Sequence, residues 1–388
     1  MRRILLVVAV ALVGSMGVVT AAVAGDRGPA VPAAPTALPV SLGYGPGGGA
    51  SGVSPVAPIT VTAANGTFDD VELTDAAGTR IAGTFDASRT TWTATDRLAY
   101  DTTYTWTGRA TGADGLPVPL GGAFTTVKPS RIARGTINVA DDRTVGIAAP
   151  IQIQFDTKIT DRAAVERALS VTTSVPVDGS WGWLPDENGG SRVHWRPKEY
   201  WPAGTKVRVD ANLFGVPYGG GVYGRADLSS TFKIGRAQIV RADVNSHRMV
   251  VVRDGEQVAS YPASYGLSSD PNRTTRSGIH VVTEKHREKR MASERYGYDL
   301  TVGWAVRISN NGEFVHANAA TVGQQGSSNV THGCINLSPA NAQAYFDTAL
   351  YGDPVEVTGS GAKLAPRDGD VWDWTLSWKE WQGLSALS

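Results

Sequence analysis

The 388-residue sequence predicts a mainly β protein that is divided into several domains. Its 45 glycines and 21 prolines, together with frequent Thr and Val, are typical of many short strands joined by turns rather than of helix bundles. Runs that alternate apolar and polar residues recur along the chain, as in "APIQIQFD" and "TKVRVDANL". The chain is also longer than one hydrophobic core usually serves, so about two to four domains are expected.

The N-terminal residues 1–25 predict an export signal or a membrane anchor. Two arginines precede an apolar run over residues 4–13, and the small residues 22–24 resemble a cleavage site. No charged residue follows those arginines within the segment, and the uncharged stretch is long enough to span a bilayer. The segment could therefore also be a membrane anchor if it is not cleaved. We expect an exported protein at the outer face of the cytoplasmic membrane, in the periplasm or in the cell wall. It would contact the membrane through this segment if the segment stays uncleaved.

Residues 26–235 divide into a linker and two modules. Residues 26–57 are rich in Pro, Gly, Ala and Ser with almost no charge, which predicts a flexible linker. Residues 58–127 and 128–235 each contain short alternating runs separated by turn residues, which predicts two β-sandwich modules. A short helix is expected over 161–169, with Asp161 as its N-cap.

The second predicted module is rich in tryptophan. These large side chains are expected to fill the core of the sandwich, and the alternative is a surface on which sugar rings stack. The residues concerned are Trp181, Trp183, Trp195 and Trp201.

Residues 236–360 predict a third, β-rich domain with one clear helix. Asp254-Gly255 and Asn311-Gly312 are typical of turns between paired strands. The helix is expected over 338–350, because Ser338 is a good N-cap and a proline follows it. Residues 361–388 form a Trp-rich C-terminal segment, which we expect to be clamped onto this domain by burial of its aromatic rings.

The charge of the chain excludes one broad class of function. Lys and Arg together number 36, as do Asp and Glu, so the formal net charge is +0. Nucleic-acid-binding proteins normally carry a basic excess, so no nucleic-acid partner is expected.

Cys334 is the only cysteine of the chain, and so it has no partner for an internal disulfide in an oxidising compartment. A buried inert thiol and an intermolecular bridge are the alternatives to a nucleophile. Its surroundings favour the nucleophile, because a polar, Gly-rich stretch precedes it and a capped helix follows. Backbone N–H groups in such a loop can stabilise an oxyanion, and Gly333 lets a substrate carbonyl approach the backbone.

A cysteine nucleophile needs a base or a lowered pKa at neutral pH, and two histidines are candidates. His332 lies in the loop whose N–H groups must face the oxyanion, so it suits the role of a brace. His316 follows the strand "GEFV" and approaches from a separate element, so we expect it to be the base and to hold the thiol pKa low. A zinc site built from both histidines and Cys334 lacks a Cys-x-x-Cys element and an evident fourth ligand, so neither a metal nor another cofactor is predicted.

These residues resemble the signature of the L,D-transpeptidase catalytic domain. His316 is followed by fourteen residues and then by the hexapeptide 331–336, Thr-His-Gly-Cys-Ile-Asn. The resemblance extends over nearly the whole chain, since actinobacterial members also carry a membrane-proximal signal, two immunoglobulin-like modules and a Trp-rich C-terminal segment. It implies that 58–127 and 128–235 are immunoglobulin-like and that 236–360 is the catalytic domain.

The resemblance also implies an activity. Such enzymes form 3→3 cross-links in peptidoglycan by attacking the carbonyl between meso-diaminopimelate and D-Ala in a tetrapeptide stem. D-Ala leaves, a thioester forms, and an amine of a neighbouring stem resolves it. The implied partners are donor and acceptor tetrapeptide stems, and β-lactams of the carbapenem class are implied covalent inhibitors.

The family pattern implies a role for each matching residue. Cys334 is the nucleophile, His316 the base and the Ala317 backbone carbonyl the group that orients that base. The N–H groups of His332, Gly333 and Cys334 form the oxyanion hole. The substrate cleft is lined by Thr331 and Asn336 from the motif and by Met291, Tyr296 and Tyr298 from a lid, "MASERYGYDLTVGWA".

The sequence departs from the family pattern at two places. It reads "TTRSGIH" where members often have Pro-Thr-Pro-x-Gly, and Ala320 lies near the position of a common tryptophan. These departures concern the shape of the cleft and the substrate preference rather than the chemistry. Two other functions stay open: an L,D-carboxypeptidase that gives the same thioester to water, and a non-catalytic cell-wall-binding protein. The intact Cys334, His316 and Asn336 argue against the latter.

Overall fold

The computed structural model describes residues 37–366 and 371–388. The predicted export segment over 1–25 therefore lies outside the described residues. Within those residues, no helix combines the length and apolar character that a membrane crossing needs. Strands predominate throughout, so the prediction of a mainly β protein is confirmed.

The first unit is a sandwich of two sheets. One sheet has the order β1-β2-β5-β4, and the other has the order β3-β6-β7 with β8 paired to β6. Trp92 and Trp106 meet edge to face in the core, with ring centroids 5.4 Å apart. The strands are β1 Ser41–Gly45, β2 Thr60–Ala64, β3 Gly66–Asp75, β4 Gly83–Phe85, β5 Thr91–Ala94, β6 Thr103–Gly112, β7 Pro117–Pro119 and β8 Ala123–Thr125.

The prediction of a linker over 26–57 is wrong for its C-terminal part. Strand β1 lies within that range and pairs antiparallel with β2, and Val40 just before it is buried in the core of the first unit. A Cβ placed on Gly43 would lie 2.7 Å from Oγ1 of Thr62. The glycine here therefore permits close strand contact, whereas composition alone made it look like a flexible linker residue.

The second unit is also a sandwich. Its two main sheets have the orders β10-β12-β15-β14 and β11-β19-β16-β13, and a small sheet has the order β17-β18-β9. The strands are β9 Arg131–Ala133, β10 Gly135–Ile137, β11 Thr144–Val145, β12 Ile151–Phe155, β13 Leu169–Thr173, β14 Gly179–Glu187, β15 Gly190–Pro197, β16 Lys206–Ala211, β17 Pro217–Gly219, β18 Val222–Gly224 and β19 Leu228–Ile234.

Two predictions for the second unit are confirmed. Helix α1 (Arg162–Arg167) begins after Asp161, whose carboxylate accepts the N–H of Ala164 at 3.0 Å. The four tryptophans are buried in the core rather than displayed for sugar rings. Their residues are Trp181, Trp183, Trp195 and Trp201.

The third unit is built from two sheets and one long helix. The sheets have the orders β22-β21-β20-β28-β23 and β24-β25-β26-β27. Helix α2 (Pro339–Thr348), capped by Ser338 as predicted, packs against β25, β26 and β27. The strands are β20 Gln238–Asp243, β21 Arg248–Arg253, β22 Glu256–Pro262, β23 Gly278–Val281, β24 Glu284–Ser293, β25 Tyr298–Arg307, β26 Phe314–Ala317, β27 Ile335–Leu337 and β28 Pro354–Thr358.

Backbone contacts join the second and third units directly. The N–H groups of Gly146 and Ala148 donate to the carbonyls of Tyr351 and Gly352 at 2.7 and 2.8 Å. Arg236 pairs with the buried carboxylate of Asp353 beside them. The two units therefore share a hydrogen-bonded seam rather than a flexible connection.

The C-terminal segment contains a 3₁₀ turn (Asp373–Thr375) and helix α3 (Trp378–Gln382). Trp372 and Trp381 are buried as expected, whereas Trp374 and Trp378 are only partly buried. The location of the segment differs from the prediction, because it lies mainly on the second unit rather than on the third. The fully buried Trp381 ring packs against Gly182, and its Nε1–H donates to the Ser180 carbonyl at 3.0 Å. Asp373 accepts from the buried His194 at 3.0 Å. Aromatic content indicated burial, but it did not indicate the surface that receives the rings.

We predict that Trp381→Ala lowers the free energy of unfolding by about 3–5 kcal/mol, because it empties a buried site that Gly182 shapes to fit the ring. Urea denaturation measures this change. Lys379→Ala, on the exposed side of the same helix, is the control and should change the value by less than about 0.5 kcal/mol. Equal stability of the two variants would contradict the role given to Trp381.

Candidate active site

The pairing of β26 with β27 organises the site. The two strands are parallel, and His316 lies opposite Asn336 in their register. Side chains two residues apart on a strand face the same side, so Cys334, just before β27, shares a face with Asn336. The strand pairing thus brings the distant histidine to the hexapeptide.

A cleft of about 220 Å³ opens on this face. It holds seven of the predicted site residues together with five that the sequence did not single out. The lining residues are Met291, Tyr298, Leu300, Val302, His316, Asn318, Thr321, Val330, Thr331, His332, Cys334 and Asn336. Met291 and Tyr298 reach it from the β24–β25 hairpin, which is the stretch that the sequence predicted as a lid. Tyr296, the third residue predicted for the cleft, does not line it and instead packs against the His332 ring.

His316 is held as a neutral imidazole. Its side chain is only 5 % exposed, and its Nδ1–H donates to the Ala317 carbonyl at 2.9 Å. Burial lowers the pKa of His316, and the bond to that carbonyl opposes the shift. The carbonyl fixes the tautomer with Nδ1 protonated, which leaves Nε2 as the proton acceptor. The structure thus places Ala317 where the family pattern assigns it.

The thiol of Cys334 is in a resting state that differs from the sequence expectation. It is half-buried and packs beside Val302, Ala305 and Phe314, and its Sγ–H donates to the Gly312 carbonyl at 3.6 Å. Burial raises its pKa to about 12, and the N–H of Phe314 opposes this shift. The expectation of a low thiol pKa is therefore wrong for this state. The polar residues around Cys334 in sequence concealed the apolar patch that β25 and β26 present to it.

Thr331 closes the loop that carries the nucleophile. Its hydroxyl donates to the Cys334 carbonyl at 2.7 Å and accepts the N–H of Gly333 at 3.2 Å. The N–H of Gly333, which the family pattern assigns to the oxyanion hole, is thus already engaged by Thr331. Among the residues that the structure describes, the N–H groups of His332 and Cys334 donate to no protein acceptor. These two groups are the available donors for an oxyanion.

His332 connects the loop to the lid. Its ring centroid lies 4.6 Å from that of Tyr296 and 5.2 Å from that of Tyr298. Arg273, which the sequence did not single out, donates from Nε to the Thr331 carbonyl at 3.1 Å and lies over the ring of Tyr296. Burial against these neighbours and the charge of Arg273 lower the pKa of His332. The His332 ring therefore packs between the loop and the lid, and its role as a brace stays a prediction.

Asn336 presents an unused acceptor in the cleft. It is 3 % exposed, and its amide Nδ2 donates to Oγ1 of Thr321 at 3.3 Å. Its Oδ1 has no hydrogen-bond partner among the described atoms. Thr321 was missed because it ends a short 3₁₀ turn (Ala319–Thr321) in a stretch where neither spacing nor composition marks it. A buried acceptor of this kind favours a ligand that donates an N–H group.

The described part of the chain contains no group of three or more His, Cys, Asp or Glu side chains arranged to hold a metal ion.

The fold and this site define a catalytic domain of the L,D-transpeptidase type. Residues 237–357 match the family model described as the L,D-transpeptidase catalytic domain. Residues 50–217, which span parts of both sandwich units, match the model of a bacterial Ig domain. The predicted family and the predicted fold class are thereby confirmed.

The chain is also similar over most of its length to known L,D-transpeptidases. The chain is 54% identical over 347 residues to L,D-transpeptidase 5 of Mycobacterium tuberculosis, covering 89% of this chain and 77% of that protein. It is 36% identical over 352 residues to L,D-transpeptidase 2 of the same species, covering 87% of this chain and 83% of that protein. The chain therefore belongs to the L,D-transpeptidase family.

A solved structure of the LD transpeptidase LdtMt1 in complex with imipenem is also similar. The alignment covers 59% of this chain and 100% of that chain, with 36% sequence identity and a TM-score of 0.50.

We predict that alkylation of Cys334 by iodoacetamide accelerates about tenfold for each pH unit between pH 7 and pH 10, because only the thiolate reacts. A raised thiol pKa leaves the thiolate fraction below saturation across this range. Intact-protein mass against time measures the rate, and a free-cysteine peptide, whose rate levels off above its pKa of about 8.5, is the control. A plateau below pH 8 for the protein would contradict the resting state described above.

Proposed function

We propose that this protein is a peptidoglycan L,D-transpeptidase that forms 3→3 cross-links through a thioester on Cys334. The observation that carries the proposal is the β26–β27 pairing, which puts His316, Cys334 and Asn336 into one cleft. Family membership supports the reaction class. The thioester and the 3→3 linkage are our proposal from the chemistry of these residues.

In the first half-reaction, Cys334 attacks the carbonyl between meso-diaminopimelate and D-Ala. The thiol proton passes to Nε2 of His316 as the carbon–sulfur bond forms. His316 then returns that proton to the departing nitrogen as the carbon–nitrogen bond breaks, and D-Ala leaves. A neutral histidine is suited to the first transfer because its lone pair is free.

In the second half-reaction, the side-chain amine of a neighbouring stem attacks the thioester. The amine loses a proton to His316, the carbon–sulfur bond breaks and the thiol is regenerated. Water in place of the amine gives the carboxypeptidase reaction through the same thioester. The acceptor therefore decides between cross-linking and hydrolysis.

Both half-reactions develop negative charge on the carbonyl oxygen. The N–H groups of His332 and Cys334 have no acceptor within residues 37–366 and 371–388, so they are the donors that we assign to this oxyanion. Oδ1 of Asn336 is assigned to a backbone N–H of the donor stem, because a buried acceptor without a partner gains most from such a bond. Met291 and Tyr298 on the lid cover the apolar side of the cleft.

The same chemistry extends to carbapenems. A strained β-lactam carbonyl offers the thiolate an acyl carbon like that of the stem, and a similar LD transpeptidase has been solved in complex with imipenem. We therefore propose covalent inhibition by this class. We also propose that the two sandwich units are spacers, since every residue that lines the cleft comes from the third unit.

The function is tested by incubating the purified protein with a disaccharide-tetrapeptide and following the products by mass. We expect a dimer that has lost one D-Ala, and we expect Cys334→Ala to form neither the dimer nor an acyl-enzyme, because no other thiol exists in the chain. A Cys334→Ser variant controls for the loss of packing. Tripeptide alone would indicate hydrolysis, and no turnover by the wild type would indicate a binding protein.

The assignment of the base is tested by comparing two histidine variants. His316→Gln should slow acylation by a carbapenem about 10²–10⁴-fold and abolish its dependence on a group that titrates below neutral pH, because the proton acceptor is gone. His332→Ala should slow acylation less and keep the pH profile, because only the brace is lost. Stopped-flow or intact-mass kinetics measures both variants, and a wild-type profile in His316→Gln would show that the base lies elsewhere.

A further inference from the structure

A buried carboxylate lies directly behind the nucleophile loop and has no part in the mechanism above. Glu313 occupies the turn between β25 and β26 and is only 2 % exposed. A Cβ placed on Gly333 would lie 3.6 Å from its Cγ and 4.0 Å from its Oε1. Buried carboxylates are costly unless they are paired, so this position requires an explanation.

Three neighbours hold the carboxylate in place. Its Oε1 accepts the backbone N–H of Arg276 at 3.1 Å and lies 3.6 Å from that guanidinium. Its Oε2 accepts the hydroxyl of Ser309 at 2.8 Å. Each of these contacts places a hydrogen-bond donor or a positive charge against a carboxylate oxygen.

The third neighbour is His280, which is fully buried. Its Nε2 lies 2.8 Å from the Arg276 carbonyl, which only accepts, so Nε2 carries a proton. Its Nδ1 has no hydrogen-bond partner among the described atoms and faces Oε2 of Glu313 at 3.7 Å. The imidazole ring thus packs against the carboxylate without a direct hydrogen bond to it.

The residues on either side of Glu313 hold the resting thiol. Gly312 accepts the Sγ–H of Cys334, and the N–H of Phe314 points to the same sulfur. The charge of Glu313 also raises the pKa of this thiol, in addition to the larger effect of burial. The anchored carboxylate therefore acts on Cys334 in two ways, through the backbone that cradles the sulfur and through its charge.

We propose that Glu313 is a positioning residue that keeps Cys334 protonated and turned toward Gly312 until substrate arrives. Attack then requires the thiol to leave the Gly312 carbonyl and give its proton to His316. The carboxylate thus suppresses reaction of the thiol with adventitious electrophiles. This inference rests on the proposed role of Cys334 as the nucleophile.

The test is the pH dependence of iodoacetamide alkylation in the full chain, where Cys334 is the only cysteine. Glu313→Gln keeps acceptor and shape but removes the charge. We expect its profile to shift to lower pH by about one unit, which is about a tenfold faster alkylation at pH 8. Glu288→Gln, an exposed carboxylate on β24, is the matched control and should not shift.

A second variant should change the alkylation rate of Cys334 in the opposite direction. Arg276→Gln removes the cation beside Oε1 while its backbone N–H stays, so the charge of Glu313 is less compensated and alkylation should slow. A folded Glu313→Gln with an unshifted profile, or an Arg276→Gln that alkylates faster than wild type, would overturn the proposal.

The alkylation readout does not depend on cross-linking. Active transfer with an unshifted Glu313→Gln profile would reject only the role of Glu313. A shifted profile without transfer or hydrolysis by the wild type would reject only the proposed function.

Discussion

The parallel pairing of β26 with β27 is the constraint on which the rest of the site depends. The paired segments are short and almost wholly buried, and α2 packs over them. A slip of one residue would turn His316 to the opposite face and separate it from Cys334. Parallel neighbours also need a crossover, so the long connection from 318 to 334 is a geometric necessity. It supplies Thr321, Thr331 and the nucleophile loop itself.

The protonation state of the resting site follows from burial on this face. Burial disfavours charge, so it raises the pKa of the Cys334 thiol and lowers that of the His316 imidazole. Both groups are therefore neutral at neutral pH, and proton transfer between them is unfavourable before substrate binds. In the mechanism that we propose, the reaction depends on interactions that form as the acyl oxygen becomes charged, where free N–H groups are most effective. A family motif identifies the atoms that react, but it does not determine this state.

The sequence predicted most reliably the features that depend on near neighbours. Asp161 and Ser338 marked the starts of helices because capping is decided within three residues. The hairpin at Asp254-Gly255 was predicted because both positions need a positive φ, and the structure has φ of 51° and 90° there. The catalytic motif was likewise a local pattern, with one histidine at a characteristic spacing.

Features that join distant parts of the chain were not predictable in this way. Strand β1 resembled a linker because glycines that fit against a neighbouring strand have the same composition as flexible glycines. The Trp-rich segment was placed on the wrong unit because burial of a ring does not specify its receiving surface. Arg273 and Glu313 lie against the loop that carries Cys334 only because folding brings the segment before β23 and the turn before β26 behind it. The reactivity of Cys334 is therefore a property of the tertiary structure, and relatives with the same hexapeptide but a different residue behind the loop need not share it.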